Sequence, residues 1–467
     1  MRGNRRRSSL IVVSNREPYT IKRDGRLEKT VGGLVSALDP VMCSARGVWI
    51  ASTRARRGIK VEVPPEAPSY TMRLVPISTK DFEDYYDGYS NSFLWPLCHI
   101  TLDRVYLRDS YWDSYRKVNQ LFAEAVVEEA DGRKTLVWLQ DYHLALCAGY
   151  IKKKNPSLKL SLFWHIPWPP YDVFRACPHR KEILRGLLAN DLLGFQIEAF
   201  TRNFLRCVEL ELKDEATIEG DVVYTERGRT RVRAFPISID YGWFEEAALS
   251  RKAERFLRRF KKERNLQGRL MGLSVDRLDY TKGIIRGLSA LELFFDKYPE
   301  FKRRFSFVQI AVPTRVSDTY LDYMETVRRK VYSINSRFAT GDWRPIEYIE
   351  KKFTHEELAG LYRGADLLMI SSVYDGMNLV AKEYIASQID MGGVVLVSLF
   401  AGVSEDVPGV ITVNPYATEN YADTIKMALE MSDREKQRLM KRARSHVKKN
   451  DIYRWVDGIL REIRRTK

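Results

Sequence analysis

Residues 371–384 read Ser-Ser-Val-Tyr-Asp-Gly-Met-Asn-Leu-Val-Ala-Lys-Glu-Tyr, preceded by the apolar run Leu367 to Ile370. Helix-forming residues follow from Leu379 to Ala386, so the stretch predicts a strand, a glycine-bearing turn and a helix N-terminus. The first turn of a helix leaves backbone N–H groups without acceptors at the positive end of the macrodipole, and Gly376 lets a ligand approach the main chain closely. Two carboxylates flank the turn. Asp375 lies in the loop and Glu383 one to two helical turns later, at roughly 5.4 Å of rise per turn, so the pair can hold hydroxyls at two ends of a polar ligand. The same residues also fit an ordinary strand-to-helix connection.

Outward from this stretch, short apolar segments alternate with longer helical ones. Leu10 to Val13, Val48 to Ser52, Leu136 to Leu139, Leu160 to Trp164, Leu192 to Phe195 and Val232 to Phe235 form a first series. Leu270 to Val275, Phe305 to Ile310, Leu367 to Ile370, Val394 to Val397 and Val410 to Val413 form a second. The alternation predicts an α/β protein with two doubly wound parallel-sheet domains. They are expected over residues 1–240 and 241–449, hinged near Phe235 to Trp243, where Pro236 and Gly242 break the pattern. A chain of 467 residues agrees with two cores. In such sheets ligands bind beyond the C-terminal strand ends, so polar residues just after strands carry the most weight.

Several strand ends carry them. Ser14-Asn15-Arg16 follows the first strand, and Val31-Gly32-Gly33-Leu34 opens a helix whose glycines let main-chain N–H groups reach a phosphate. Tyr85-Tyr86-Asp87-Gly88-Tyr89-Ser90-Asn91, ending in Leu94-Trp95-Pro96, reads as an aromatic loop fit either to pack on sugar rings or to pack on itself. Asp141, within Gln140-Asp141-Tyr142-His143, and His165, within His165-Ile166-Pro167-Trp168, end neighbouring strands and can handle a proton or sugar hydroxyls. In the second half, Asp276-Arg277-Leu278-Asp279-Tyr280-Thr281-Lys282-Gly283 sets two cations five residues apart at a strand-to-helix turn, the layout that neutralises a diphosphate leaving group. Arg315 adds a third cation after another strand.

Composition narrows the classes. Hydrophobic content of 45% fits a globular protein, and no apolar run approaches the roughly 20 residues of a membrane span. The basic N-terminus is followed by too few apolar residues for a signal peptide. Five scattered cysteines without CxxC spacing argue against disulfides and a zinc site, and so for a reducing cytoplasm. Six histidines show no metal-binding spacing, so no metal is expected. A net charge of +16 attracts nucleic acid, membrane surfaces and anionic small molecules alike. Much of it sits in segments such as Arg251 to Arg264, which read as a solvated helix face over Phe256, Leu257 and Phe260.

Taken together, SNR, VGGL, YYDGYSN with LWP, DYHL, HIPWP, DLLGFQ, RLDYTKG, YDGMNLVAKEY, FAG and VNPY resemble, in order and spacing, the trehalose-6-phosphate synthase family of retaining glycosyltransferases. The resemblance spans nearly the whole chain. It implies the GT-B fold, two Rossmann-like domains facing a cleft, with residues 450–467 forming a helix that crosses back to the first. It implies that Arg277 and Lys282 clamp the donor diphosphate near Gly33, and that Glu383 holds the ribose. Asp375 and the backbone of Gly376, Met377, Asn378 and Leu379 would hold the transferred sugar and nearby phosphate, with His165 close to that sugar. Arg16, Tyr86, Trp95 and Arg315 match the acceptor-phosphate pocket, and Asp141 the carboxylate at the acceptor hydroxyls.

The implied reaction moves glucose from a nucleoside diphosphate glucose, expected to be UDP-glucose, to glucose 6-phosphate. No cofactor is implied, and the front-face mechanism of the family lets the departing phosphate take the acceptor's proton. The segment from Glu17 to Val31 is longer and more charged than the bacterial pattern, which leaves the lid over the acceptor open. Glucosylglycerol-phosphate synthases share closely similar motifs and use glycerol 3-phosphate. A catalytically silent regulatory homologue is disfavoured by retention of Arg277, Lys282, Asp375 and Glu383. Nucleic-acid binding lacks any recognised signature, and a pyridoxal-phosphate phosphorylase shares only the fold class. The sequence leaves oligomeric state open, a homo-oligomer included.

Overall fold

A computed structural model describes residues 10–22, 24–30, 33–130, 135–313 and 318–466. The chain divides into two compact units, Met1–Pro236 together with Trp455–Lys467, and Ile237–Arg454. Arg315 lies outside the described residues, as do Val31 and Gly32.

The first unit is built on a ten-stranded sheet. Leu10–Val13 is apolar and buried throughout, as a strand covered on both faces must be. It pairs in parallel with Val48–Thr53 on one side and Leu136–Gln140 on the other. From Val48–Thr53 the sheet continues to Tyr70–Pro76, and from Leu136–Gln140 to Lys159–Phe163, Leu192–Phe195 and Gly228–Ala234. The winding direction therefore reverses beside Leu10–Val13. Antiparallel strands close both edges: Ile59–Val63 on Tyr70–Pro76, and Val222–Thr225 with Ala216–Glu219 beyond Gly228–Ala234.

A small hairpin, Tyr19–Ile21 with Leu27–Lys29, stands apart from that sheet. Asp39 on the helix Gly33–Ala45 anchors it, taking hydrogen bonds from Tyr19 Oη at 3.2 Å, Tyr70 Oη at 2.7 Å and Lys29 Nζ at 2.6 Å. The aromatic segment read as a loop is instead helical, π-wound from Glu83 to Leu94 between the short turns Thr79–Phe82 and Trp95–Cys98. Tyr85 and Tyr89 are fully buried, while Tyr86 keeps part of its ring exposed. A Cβ at Gly88 would come within 2.7 Å of the Tyr111 ring, so that glycine serves close packing rather than a turn.

The second unit carries six parallel strands in the order Ile346–Ile349, Phe305–Val312, Leu270–Arg277, Leu367–Ile370, Val394–Ser398, Ile411–Val413. Here the winding reverses between Leu270–Arg277 and Leu367–Ile370. The basic helix Arg251–Glu263 buries Phe260 and sets Phe256 and Phe260 near Phe353, leaving its charged face to solvent. Among the described residues no helix is long and apolar enough to cross a membrane.

Candidate active site

Each unit presents polar residues at the strand ends flanking its reversal point, the place where open parallel sheets splay their loops apart and leave a crevice. In the second unit Arg277 ends one flanking strand, its guanidinium half-exposed and 3.6 Å from Asp279. Asp279 caps the short turn Tyr280–Lys282 through Thr281 N. Gly283, at φ +63, then reverses the chain into the helix Ile284–Lys297. A Cβ there would fall 2.0 Å from the Ser371 carbonyl oxygen, so the cation-bearing turn packs directly on the opening of the stretch 371–384. Val373 N donates to Thr281 O at 2.8 Å and locks the two loops together.

Lys282 Nζ consequently reaches Asp375 Oδ2 at 2.6 Å. Ser372 Oγ and Asn378 Nδ2 donate to the same oxygen, each at 3.2 Å. Asn378 holds φ +94 and caps the helix Leu379–Ser387 by accepting from Ala381 N. The backbone of Asp375, Gly376 and Met377 is tied to the next loop, through Asp375 N to Phe400 O, Gly402 N to Asp375 O and Val403 N to Met377 O. Gly402 is essential to that contact, since its Cβ would sit 2.2 Å from Gly376 O. Lys382 is not part of the polar face: it is buried, paired with Asp406 at 2.6 Å and bonded to Ile237 O.

Glu383 accepts from Tyr362 Oη at 2.9 Å. Burial pushes its carboxyl up to about 7, against which the Tyr362 hydrogen bond is too small an offset. Asp276, at the end of Leu270–Arg277, is likewise pushed up to about 6 by burial, eased by hydrogen bonds from Ser274 and Gln309 and by the charge of Lys282. Neither Tyr362 nor Asp276 was singled out from sequence. Tyr362 belongs to the helix His355–Gly364, remote in sequence from the loops it serves, and no local pattern marks it.

In the first unit Arg16 follows the central strand and donates from Nη2 to Tyr86 Oη at 2.8 Å, its guanidinium 5.9 Å from the centre of that ring. Tyr86 stacks on His143 at 5.5 Å and 12°, and His143 on Tyr142 at 4.0 Å. Trp95 is buried, its ring centre 6.1 Å from that of Tyr142. Across the reversal point Asp141 adopts φ +73, a strained conformation for a residue with a side chain. Its Oδ1 accepts from Tyr142 N at 2.9 Å and from His165 N at 3.1 Å, bonds that stabilise the turn. His165 Nε2 pairs with Gln140 Oε1 at 2.9 Å, and burial lowers its pKa to about 3, so the ring is neutral. Gly33 opens the helix Gly33–Ala45.

These arrangements join Arg16 to Tyr86, Asp141 to His165, and both Lys282 and Asn378 to Asp375; Arg277 and Glu383 stand on the elements flanking the same reversal. Solved structures share the architecture closely. A structure from E. coli bound with UDP-2-fluoro glucose matches with a TM-score of 0.89 and 29% identity, over 98% of this chain and 99% of that one. An α,α-trehalose-phosphate synthase (UDP-forming) from Burkholderia xenovorans in complex with glucose-6-phosphate matches with a TM-score of 0.88 and 29% identity, over 97% of this chain and 99% of that one.

The fold is thus that of a glycosyltransferase of the GT-B class. Within that class the chain belongs to glycosyltransferase family 20, whose model matches residues 8–465. A relative from Aspergillus niger, α,α-trehalose-phosphate synthase [UDP-forming] 2, is 36% identical over 91% of this chain and 90% of its own length.

Proposed function

We propose that the chain transfers glucose from UDP-glucose to glucose 6-phosphate with retention, giving trehalose 6-phosphate and UDP, in the cytoplasm. The observation that carries the reading is the junction of the two loops in the second unit. Gly283 and Val373 pin the cation-bearing turn to the Asp375–Leu379 turn, and so bring charge for a diphosphate beside acceptors for sugar hydroxyls. Similarity to a protein crystallised with glucose-6-phosphate and to one bound with UDP-2-fluoro glucose supports the two substrates.

In this reading the second unit takes the donor. Arg277 and Lys282 stabilise charge on the diphosphate as the glycosidic bond breaks. Glu383 holds the ribose, and Asp375 with the backbone of Gly376, Met377, Asn378 and Leu379 holds the transferred glucose. The first unit takes the acceptor, its phosphate on Arg16, Tyr86, Trp95 and Arg315 and its hydroxyls on Asp141. His165, whose pKa burial lowers to about 3, is too weak a base to take the proton of the attacking hydroxyl. The departing phosphate oxygen accepts the proton of the attacking hydroxyl on the same face, so catalysis is positioning and charge stabilisation.

Crossing UDP-, ADP- and GDP-glucose with glucose 6-phosphate and glycerol 3-phosphate tests the proposal. Release of UDP that depends on glucose 6-phosphate is the expected result. Release with glycerol 3-phosphate alone would assign a different acceptor.

A further inference from the structure

The first unit contains a cavity of about 570 Å³ beside Arg16, large enough for a phosphorylated sugar. Its walls come from the anchored hairpin, the ends of Leu10–Val13 and Val48–Thr53, and the helical segment that carries Tyr86. Arg54, just past Val48–Thr53, enters this cavity as a second guanidinium. It lies 5.6 Å from the centre of the Phe82 ring, and Phe82 stacks on Tyr86 at 5.2 Å and 27°. Two arginines are therefore held on two adjoining stacked rings, Arg54 on Phe82 and Arg16 on Tyr86. Among the described residues neither forms an ion pair with a carboxylate. The acid that lines the cavity, Glu17, takes a hydrogen bond from Thr20 Oγ1 at 3.1 Å.

Two arginines that line one cavity and, among the described residues, have no carboxylate partner suit an anion of two charges, and planar forks bind phosphate oxygens in pairs. Aromatic stacking restricts the side-chain freedom that binding would otherwise have to remove. Glu17 and the threonine hydroxyls supply acceptors and donors for an attached polyol. We infer that Arg54 is a further phosphate-binding cation of the acceptor pocket, added to Arg16 and Arg315, and that with Arg16 it makes the pocket select a phosphate monoester over a neutral sugar. This rests on the acceptor reading given above.

Steady-state kinetics of the full chain with UDP-glucose test it, comparing Arg54→Ala and Arg54→Lys with the wild type. Arg54 is exposed, so both variants are expected to melt as the wild type does. Loss of a charge-assisted contact should raise the KM for glucose 6-phosphate about ten- to a hundredfold in Arg54→Ala. The KM for UDP-glucose should hold, and Arg54→Lys should recover part of the loss. Selectivity for glucose 6-phosphate over glucose should fall in parallel. An unchanged acceptor KM in Arg54→Ala overturns the inference while leaving the acceptor reading intact. A wild type that ignores glucose 6-phosphate overturns the acceptor reading; if it uses another phosphate monoester whose KM rises in Arg54→Ala, the role of Arg54 stands.

Discussion

Arg277 and Glu383 meet opposite demands on charge. The Arg277 side chain is 37% exposed at a strand end, 3.6 Å from the buried carboxylate of Asp279. If it stabilises the departing diphosphate, Arg277→Ala should cut turnover by about 10²–10³-fold. Near-normal turnover would remove it from the catalytic machinery. Glu383 starts from a carboxyl whose ordinary value of 4.5 burial pushes up to about 7. Between these values the folded state keeps a proton that the unfolded state has lost, so folding stability falls as pH rises through that window. Ribose hydroxyls donate to a carboxylate and favour its ionised form. UDP binding should therefore release a proton below pH 7 and tighten as pH rises, which calorimetry in buffers of differing ionisation heat would detect. Glu383→Gln should abolish the proton release. The sequence set Arg277 at a strand end and Glu383 in the helix after the turn, but it carried no sign of the raised Glu383 carboxyl, because the burial that raises it comes from tertiary packing.

The elements that hold these side chains were unevenly legible. Apolar runs such as Leu367–Ile370 announce buried parallel strands, and the turns after them follow from winding. Ile59–Val63, reading Ile-Lys-Val-Glu-Val, is a half-exposed edge strand whose alternation carries too little apolar signal to stand out. The segment Glu83–Leu94 misled for a different reason. Asp, Gly, Ser and Asn lower helix propensity, yet burial of Tyr85 and Tyr89 against Tyr115 and Trp112 overrides it. Tyr86 is thereby set on a helix rather than a loop. The sharpest test at this scale is Gly283→Ala. A left-handed φ and a Cβ 2.0 Å from Ser371 O force the two donor-side loops apart. The variant should lose about 1–3 kcal/mol of stability and bind UDP more weakly, whereas Gly25→Ala, at φ +80 in open space, should affect stability alone.

Over the whole molecule, the last helix, Ile452–Arg465, belongs from Trp455 onward to the first unit, far from it in sequence. Trp455 is buried, its ring 5.3 Å from Trp138, 5.0 Å from Phe163 and 6.2 Å from His165, with Nε1 bonded to Phe235 O at 3.0 Å. Trp455→Ala should cost about 3–5 kcal/mol in chemical denaturation, and Trp455→Phe markedly less. The chain's excess of cations, which alone could not choose a partner class, also resolves unequally. Arg277 and Lys282 already face Asp279 and Asp375, whereas Arg16 and Arg54 face solvent and aromatic rings. A diphosphate arriving at the first pair exchanges one anion for another, but a phosphate arriving at the second displaces only mobile counterions. Ionic strength should thus act as a selective brake, weakening capture of the acceptor far more than capture of the donor. An enzyme so built slows in a salt-loaded cell by starving for its second substrate while its first remains bound.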